Sequence, residues 1–570
     1  MKRFPWNLSI LAVTFSLLAL LPACTVEQGA PAAPSAPVAA GKVEQTIPAP
    51  QTASGEPVFG DSLVEIIESE PAVLNLFLDA GDAQAAMICG SNIFESLLER
   101  DNVTLEWKPF IAERWEIADD HLTYTFHLRK DAHFSDGTPI TAHDVKFSYD
   151  AIINPANDTA GLRNYYQDVS SVDVPDDHTI IFHCKQPYFL HLNFLAGGLL
   201  ILPRHVYGQG DFNKGEFNRR PVGSGPYVFD SWTTNQQIVL KRDPNYWGPE
   251  KPFIDRMVYK VISDANAAIQ VLESGEADFY RITPELWTTR ASSPQFAEKF
   301  AKYEIFSPGP GYLGSYGWIG WNIRRPQFQD KRVRQALTML LDRETILETL
   351  FHGLGRVTSG HFFQDAPEAN PDVKPWPFDP AAAYKLLDEA GWVDTDQDGI
   401  RDKGGVPLRF EWSFFNGIPE YERMATVYKE ELDKAGIDVL LRPLEWATFL
   451  ESVIARKFDA CMMAWANPIE SDPYQIWHSS QAEKGDNNVG FINAEADQLI
   501  EQARLSFDQE ERVKLYRRFH EILHDEQPYT FLYNRQYCFA VAKRFQNVKV
   551  YLTGFDMHEW WVPADQQKYK

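Results

Sequence analysis

Apolar and polar residues alternate from Leu122 through Tyr124 and Phe126 to Leu128, the two-residue period of a strand with one buried face. Asp119-Asp120 turns into it from a second strand near Trp115–Ile117, and Asp136-Gly137 makes the next turn. Thr141-Ala142-His143-Asp144 has the form of a capping box with Asp in the usual Glu position, and opens a helix through Val145, Tyr149 and Ile152. Gly223-Ser224-Gly225-Pro226 predicts a tight turn before a strand at Tyr227–Phe229. Gln237–Leu240 predicts another, ended by Arg242-Asp243-Pro244-Asn245. Asp330 is placed to cap a helix through Val333, Ala336 and Leu337. Asp379-Pro380 supplies an N-cap and a first-turn proline for a helix that runs to Ala390, where Gly391 stops it. Strands near Val439–Leu441 and Ala460–Trp465 flank a helical segment at Trp446–Ala455, the strand–helix–strand order of an α/β domain. No internal repeat is present.

The N-terminus has a different pattern. Lys2 and Arg3 precede an apolar run from Leu8 to Leu21, which ends at Leu21-Pro22-Ala23-Cys24. A basic start, a short apolar stretch and small residues at its end describe a secretory signal. The run is shorter than the ~20 residues that span a bilayer. A Cys at the cleavage point resembles the lipobox of a bacterial lipoprotein, in which that Cys is lipidated and becomes the first residue. The alternative is an ordinary signal peptide that contains a Cys. Residues 24–59 are rich in Pro, Ala, Gly and Ser and cannot bury enough apolar surface to fold. The expectation is a signal peptide at 1–23, a lipidated Cys24, and a flexible tether to a body that works outside the cytoplasm, at the periplasm or the cell surface.

About 510 residues follow the tether, enough for two or three domains at roughly 150 each. Apolar residues make up 44% of the chain, and 16 Trp, 23 Tyr and 37 Phe supply both cores and any apolar cleft. The net charge of −25 excludes nucleic acid as a natural partner, since that needs clustered Lys and Arg. Cys89, Cys184, Cys461 and Cys538 lie far apart, with no C-x-x-C pair to suggest zinc. An extracellular setting permits disulfides, and four cysteines allow three pairings. Cys461 lies in an apolar strand, where a free buried thiol is at least as natural as a bridge.

Two motifs point towards metals. His520-Glu521-Ile522-Leu523-His524 matches H-E-x-x-H, the helix of zinc proteases. Asp508 can cap that helix, and both histidines fall at the edge of the stripe made by Val513, Tyr516 and Leu523. No third ligand follows at the usual spacing and Pro528 ends the segment, so a secreted zinc metalloprotease is the remote alternative. Asp394-Thr395-Asp396-Gln397-Asp398-Gly399 matches the start of a calcium loop, but the twelfth position is Gly405 instead of the bidentate Glu of an EF-hand. Asp394, Asp396 and Asp398 are read as a solvated acidic turn, with an incomplete calcium site as the alternative. His121, His127 and His133 read as surface or packing residues.

The chain resembles the family 5 solute-binding proteins, the oligopeptide- and dipeptide-binding group that serves ABC importers. The densest match runs from Trp115-Glu116-Ile117-Ala118-Asp119-Asp120 to Phe134-Ser135-Asp136-Gly137-Thr138-Pro139 and Ala142-His143-Asp144-Val145. Pro221-Val222-Gly223-Ser224-Gly225-Pro226-Tyr227, Asn245-Tyr246-Trp247, Ser274-Gly275-Glu276-Ala277-Asp278, Val333-Arg334-Gln335-Ala336-Leu337, Ala390-Gly391-Trp392 and Phe458-Asp459-Ala460 follow in family order. The resemblance implies an α/β fold of the type II periplasmic-binding-protein kind: two α/β lobes around a hinged cleft, plus a third smaller domain. Carried over, the first lobe is 60–97, 222–308 and 528–570, the extra domain 98–221, and the second lobe 309–527. It also implies a monomer without enzyme activity or cofactor, whose partners are a peptide or other small solute, permease subunits, and a membrane through the lipid anchor.

The family's peptide-contacting strand matches Ala464-Trp465-Ala466. In well-known members an Asp shortly after the Trp holds the peptide's amino group; here the matching residue is Asn467, a neutral amide, with Glu470 and Asp472 nearby. That departure keeps a non-peptide solute open: an oligosaccharide, an opine-like compound or a metal chelate. The remaining expected cleft residues are Asp79 and Gly81 in an early loop, Tyr165 and Tyr166 from the extra domain, and Asn322.

Overall fold

The computed structural model describes residues 55–249 and 251–569. The expected signal peptide, the lipidated Cys24 and most of the tether lie outside the described residues. Three larger sheets organise the rest. The first has seven strands in the order Phe300–Ile305, Tyr537–Ala542, Phe279–Ile282, Ser62–Ile67, Arg256–Val261, Gln237–Arg242, Tyr227–Thr233. Ser62–Ile67 lies at its centre, parallel to both neighbours, with every residue buried, as a strand covered on both faces must be.

The second sheet has six strands: Gly355–Val357, Tyr529–Arg535, Tyr312–Trp321, Ala460–Pro468, Arg409–Phe415 and Asp438–Leu444. It separates two cores. Ile319 and Trp321 pack with Val333, Leu337, Leu387 and Tyr428 from helices on one face. Tyr316 and Trp318, at the alternate positions of the same strand, pack with Phe449, Ile500, Phe519 and Leu523 on the other. The expected lobe boundary at 528 is corrected here. Tyr529–Arg535 pairs with Tyr312–Trp321 in the second sheet, and the chain joins the first sheet only at Tyr537.

A four-stranded antiparallel sheet, Ala112–Ile117, Thr123–Leu128, Thr179–Cys184 and Val169–Asp176, forms a smaller unit with the helix Ala142–Ile153. Tyr124, Phe126 and Phe182 belong to the same continuous core as Leu63, Met257 and Phe279 of the first sheet. The small unit is therefore built onto the first lobe, while the second lobe keeps its own cores. The chain passes between the two bodies twice, near 306–311 and at Gln536.

Local signals act as the sequence suggests. Thr141 and Asp144 form a reciprocal capping box, Asp379 accepts from Ala382 N–H, and Gly391 adopts φ +85° past the helix Pro380–Glu389. Gly223 is required by contact: a Cβ there would lie 2.0 Å from the Ile93 carbonyl oxygen. Arg544 ties the first lobe together. It donates to both Asp278 oxygens at 3.0 and 2.8 Å and pairs with Asp61, with all three residues buried.

Candidate functional site

A cavity of about 790 Å³ lies where the small unit, the second lobe and one edge of the first lobe meet. The strand Ala460–Pro468 forms part of its wall. Its neighbour Arg409–Phe415 pairs with it only at Ala460 and Cys461, so from Met462 onward that side carries no ladder partner. Ala464, Ala466 and Pro468 are half-buried and line the cavity, and their small side chains leave the backbone approachable. Met463, Trp465 and Asn467 alternate with them and are buried. Trp465 also borders the cavity, and its ring lies 6.0 Å from that of Trp318 in the core behind.

The opposite wall comes from the small unit. Tyr165 stacks on Phe194 with ring centroids 4.6 Å apart, and both line the cavity with Tyr188 and Leu190. Tyr188 reaches across to the second lobe, where its hydroxyl donates to Asp472 Oδ2 at 2.7 Å. Arg504 Nε meets the same oxygen at 3.1 Å, and its guanidinium lies 4.5 Å from the Tyr188 ring and 4.1 Å from the Tyr474 ring. Phe189 N–H donates to the Arg504 carbonyl at 3.1 Å. His121 of the small unit also stacks on Phe507 of the second lobe at 3.6 Å. These contacts fasten the small unit to the second lobe in a closed arrangement. Burial and the Asp472 charge push the Tyr188 phenol well above its ordinary range, so it stays a donor. Burial opposes the Arg504 charge, but Asp472 and the surrounding tyrosines outweigh it and its pKa is raised.

Of the expected cleft residues, Ala464, Trp465, Ala466 and Tyr165 line the cavity; the others do not. Asn467 sits on the buried side of its strand and donates through Nδ2 to His361 O at 2.8 Å, so strand alternation removes it from the ligand. Tyr166 points into the core and donates to Phe194 O at 3.0 Å. Asn322 is buried and holds the Phe458 carbonyl at 2.8 Å. Asp79 accepts from the N–H groups of Ala160 and Gly161, and so acts one layer behind the cavity-lining Gly161. Gly81 belongs to the same early loop, closed by its N–H on Leu78 O.

Residues that sequence reasoning missed or did not place complete the walls: Arg281 and Tyr537 from the first lobe, and Arg456, Glu470, Asp472, Asp486 and Arg504 from the second. Tyr537 bonds Ser315 Oγ at 2.9 Å, across the boundary between the lobes. Asp486 is pushed up to about 6 by burial, with Arg456 opposing the shift in part.

The metal motifs resolve by geometry. His520 Nδ1 accepts from Asn370 N–H at 3.0 Å and Nε2 contacts Ser359 Oγ at 3.1 Å, so both ring nitrogens are engaged. A Cβ at Gly360 would lie 2.3 Å from Nε2. His524 stacks on Trp376, and Glu521 is held by Asn370 and Arg518. With both His520 nitrogens engaged, the helix does not present the pair of free histidine ligands that the zinc motif requires, and the motif is read as structural. Asp394, Asp396 and Asp398 do converge, with carboxylate oxygens within 4.8 Å of one another. All three are exposed, and each accepts from the loop's own backbone. Cys89, Cys184, Cys461 and Cys538 are all free and buried. Among the described residues no helix is long and apolar enough to cross a membrane.

Comparison with known proteins gives one consistent answer. Residues 106–487 match the family described as bacterial extracellular solute-binding proteins, family 5 Middle. The oligopeptide-binding protein AppA of Bacillus subtilis is 32% identical over 99% of this chain and 100% of its own. The structure of AppA in complex with a nonapeptide superposes with a TM-score of 0.74, covering 89% of this chain and 100% of that one at 31% identity. NikZ of Campylobacter jejuni, in complex with Ni(L-His), gives a TM-score of 0.72 at 26% identity, covering 88% and 99%.

Proposed function

Because the chain belongs to the bacterial extracellular solute-binding proteins of family 5, we propose that it captures peptides in this cavity, closes over them, and delivers them to an ABC-importer permease. The observation that carries the reading is the open side of Ala464–Pro468 within the cavity. An extended peptide can pair with a free strand edge through main-chain hydrogen bonds, which are blind to side-chain identity. Closure of the two bodies around the ligand then supplies water exclusion without any chemistry. The kinship with AppA, whose structure holds a nonapeptide, favours oligopeptides over dipeptides. Anchoring through a lipidated Cys24, with residues 25–59 as tether, is part of the same proposal.

The NikZ complex raises the metal-chelate alternative. Among the described residues the cavity lining carries no His or Cys, so a chelate would have to bring its metal's ligands with it. The test is native mass spectrometry of the full chain, solubilised in detergent and never denatured, followed by release and identification of what it carries. A ladder of peptide masses supports the reading. A single sugar or chelate mass, with no response to added peptides, overturns it while leaving the fold intact.

A further inference from the structure

The cavity has four acids in its walls, and three of them already have partners. Asp472 accepts from Tyr188, Arg504 and Tyr474 N–H. Glu470 lies 3.9 Å from Arg512. Asp168 accepts from Gln186 Nε2 at 3.1 Å. Asp486 differs: among the described residues no hydrogen-bond donor reaches its carboxylate and no cation lies within 4.0 Å of it. Its nearest base in electrostatic terms, Arg456, is spent on the carbonyls of Ile454, Ala482 and Gly485.

The Asp486 backbone is nonetheless fixed. Its N–H donates to Gln475 O at 3.1 Å, and its carbonyl accepts from Asn488 N–H at 2.8 Å. Asp486 is half-buried, so closure over a ligand that brings no charge would strip its remaining water and leave an unpaired carboxylate, which is costly. Such a group is relieved when a ligand brings the missing charge. Tyr165 lines the same cavity from the facing wall, and burial, with the Asp486 charge adding to it, raises its phenol pKa. A carboxylate and an aromatic ring lining one cavity suit an ammonium ion.

We infer that Asp486 is the anchor for a cationic group of the ligand, a primary ammonium, in place of the position after Trp465 that Asn467 fills. The inference rests on the peptide reading above. The ammonium has two sources, a peptide's amino terminus or a lysine side chain, and the experiment separates them. The full chain and its Asp486→Asn and Asp486→Glu variants are titrated calorimetrically with a neutral pentapeptide, its N-acetylated form, and an N-acetylated form containing one lysine.

The expected result is that the unmodified chain binds an amine-bearing form at least tenfold more tightly than the N-acetylated lysine-free form. Asp486→Asn erases that gap, and Asp486→Glu restores it. Which amine carries the gap identifies the source. A gap that survives in Asp486→Asn, or its absence in the unmodified chain, overturns the inference alone. So does a large fall in the melting temperature of unliganded Asp486→Asn, which would mark a structural carboxylate. Failure of the unmodified chain to bind any of the three peptides overturns the peptide reading and this inference with it.

Discussion

Replacing Tyr188 by Phe removes one oxygen from the contact that fastens the small unit to the second lobe. That oxygen donates to Asp472, a carboxylate also held by Arg504. A hydrogen bond to a charged group contributes about 1.5–3 kcal/mol net. The Phe ring still packs beneath Arg504, so the change isolates the hydroxyl. The bond spans the two bodies, so opening breaks it and the whole loss falls on the closed state. Ligand affinity includes the free energy of closing. At 1.4 kcal/mol per decade, affinity should fall roughly 10- to 100-fold. Most of the change should appear in the dissociation rate, since closure is what traps the ligand. Calorimetry with a bound peptide, paired with stopped-flow release, measures both. Hydrogen exchange at residues 504–508 in the unliganded protein supplies the control: these amides should lose protection if the contact holds the bodies together. Affinity within twofold of the unmodified chain refutes the closure argument. A loss of affinity with unchanged exchange would mean that the hydroxyl serves the ligand and not the closure.

Four further outcomes are expected. A proton competes with a ligand ammonium for Asp486, so affinity for amine-bearing peptides should drop by up to tenfold per pH unit below about pH 6 and level off above it. Calorimetry across pH 4.5–8 should show that this dependence is lost in Asp486→Asn, since Arg456, Tyr165 and Tyr529 around it do not change charge in this window. The same raised pKa makes the unliganded protein gain stability from this group as pH falls from about 6 towards 4. His520→Ala should cost about 1–3 kcal/mol by leaving Asn370 N–H unpaired, and chelators should not alter the melting temperature of either form. Arg544→Met removes the guanidinium shared by Asp61 and Asp278, leaving Lys568 beside Asp278 at 3.5 Å, and should cost about 3–5 kcal/mol in denaturant unfolding. Thiol reagents should leave Cys89, Cys184, Cys461 and Cys538 untouched until the protein unfolds, since burial both hides the thiols and raises their pKa values.

What could be read from the sequence was whatever depends on neighbours along the chain. Caps at Thr141, Asp330, Asp379 and Asp508 act over two or three residues, and each is found accepting where the pattern put it. Alternation at Tyr124, Phe126 and Leu128 likewise reports a buried face directly. The errors share a different cause. Tyr165 and Tyr166 are equivalent as sequence, but a short helical turn sends one to the cavity and the other to the core. Tyr529–Arg535 was assigned to the wrong lobe because a strand's sheet is decided by a partner some 200 residues away. Asp486 announces nothing locally. Its role depends on a helix turn at Gln475, on an arginine committed to carbonyls, and on a ring from another domain.

The Asn467 substitution illustrates the point most sharply. Read along the sequence, an amide where relatives carry a carboxylate argues against an amino-terminal anchor. Read on the strand, position 467 lies on the buried side with its Nδ2 bound to a backbone carbonyl, so its charge says nothing about the ligand. The charges that do face the cavity are four acids, Asp168, Glu470, Asp472 and Asp486, and four bases, Arg281, Arg456, Lys484 and Arg504. In a chain of net charge −25 that balance is local, and internal pairing consumes most of it: Asp472 with Arg504, Glu470 with Arg512, and Arg456 with carbonyls. The charges left over on the second lobe are Asp486 and the exposed Lys484, and the first lobe presents Arg281, 3.7 Å from the half-exposed Glu68. Lys484 keeps its water at the surface, so Asp486 and Arg281, of opposite sign on opposite bodies, are the pair that a zwitterion matches. A ligand of uniform charge would leave one of them bare when the cavity closes.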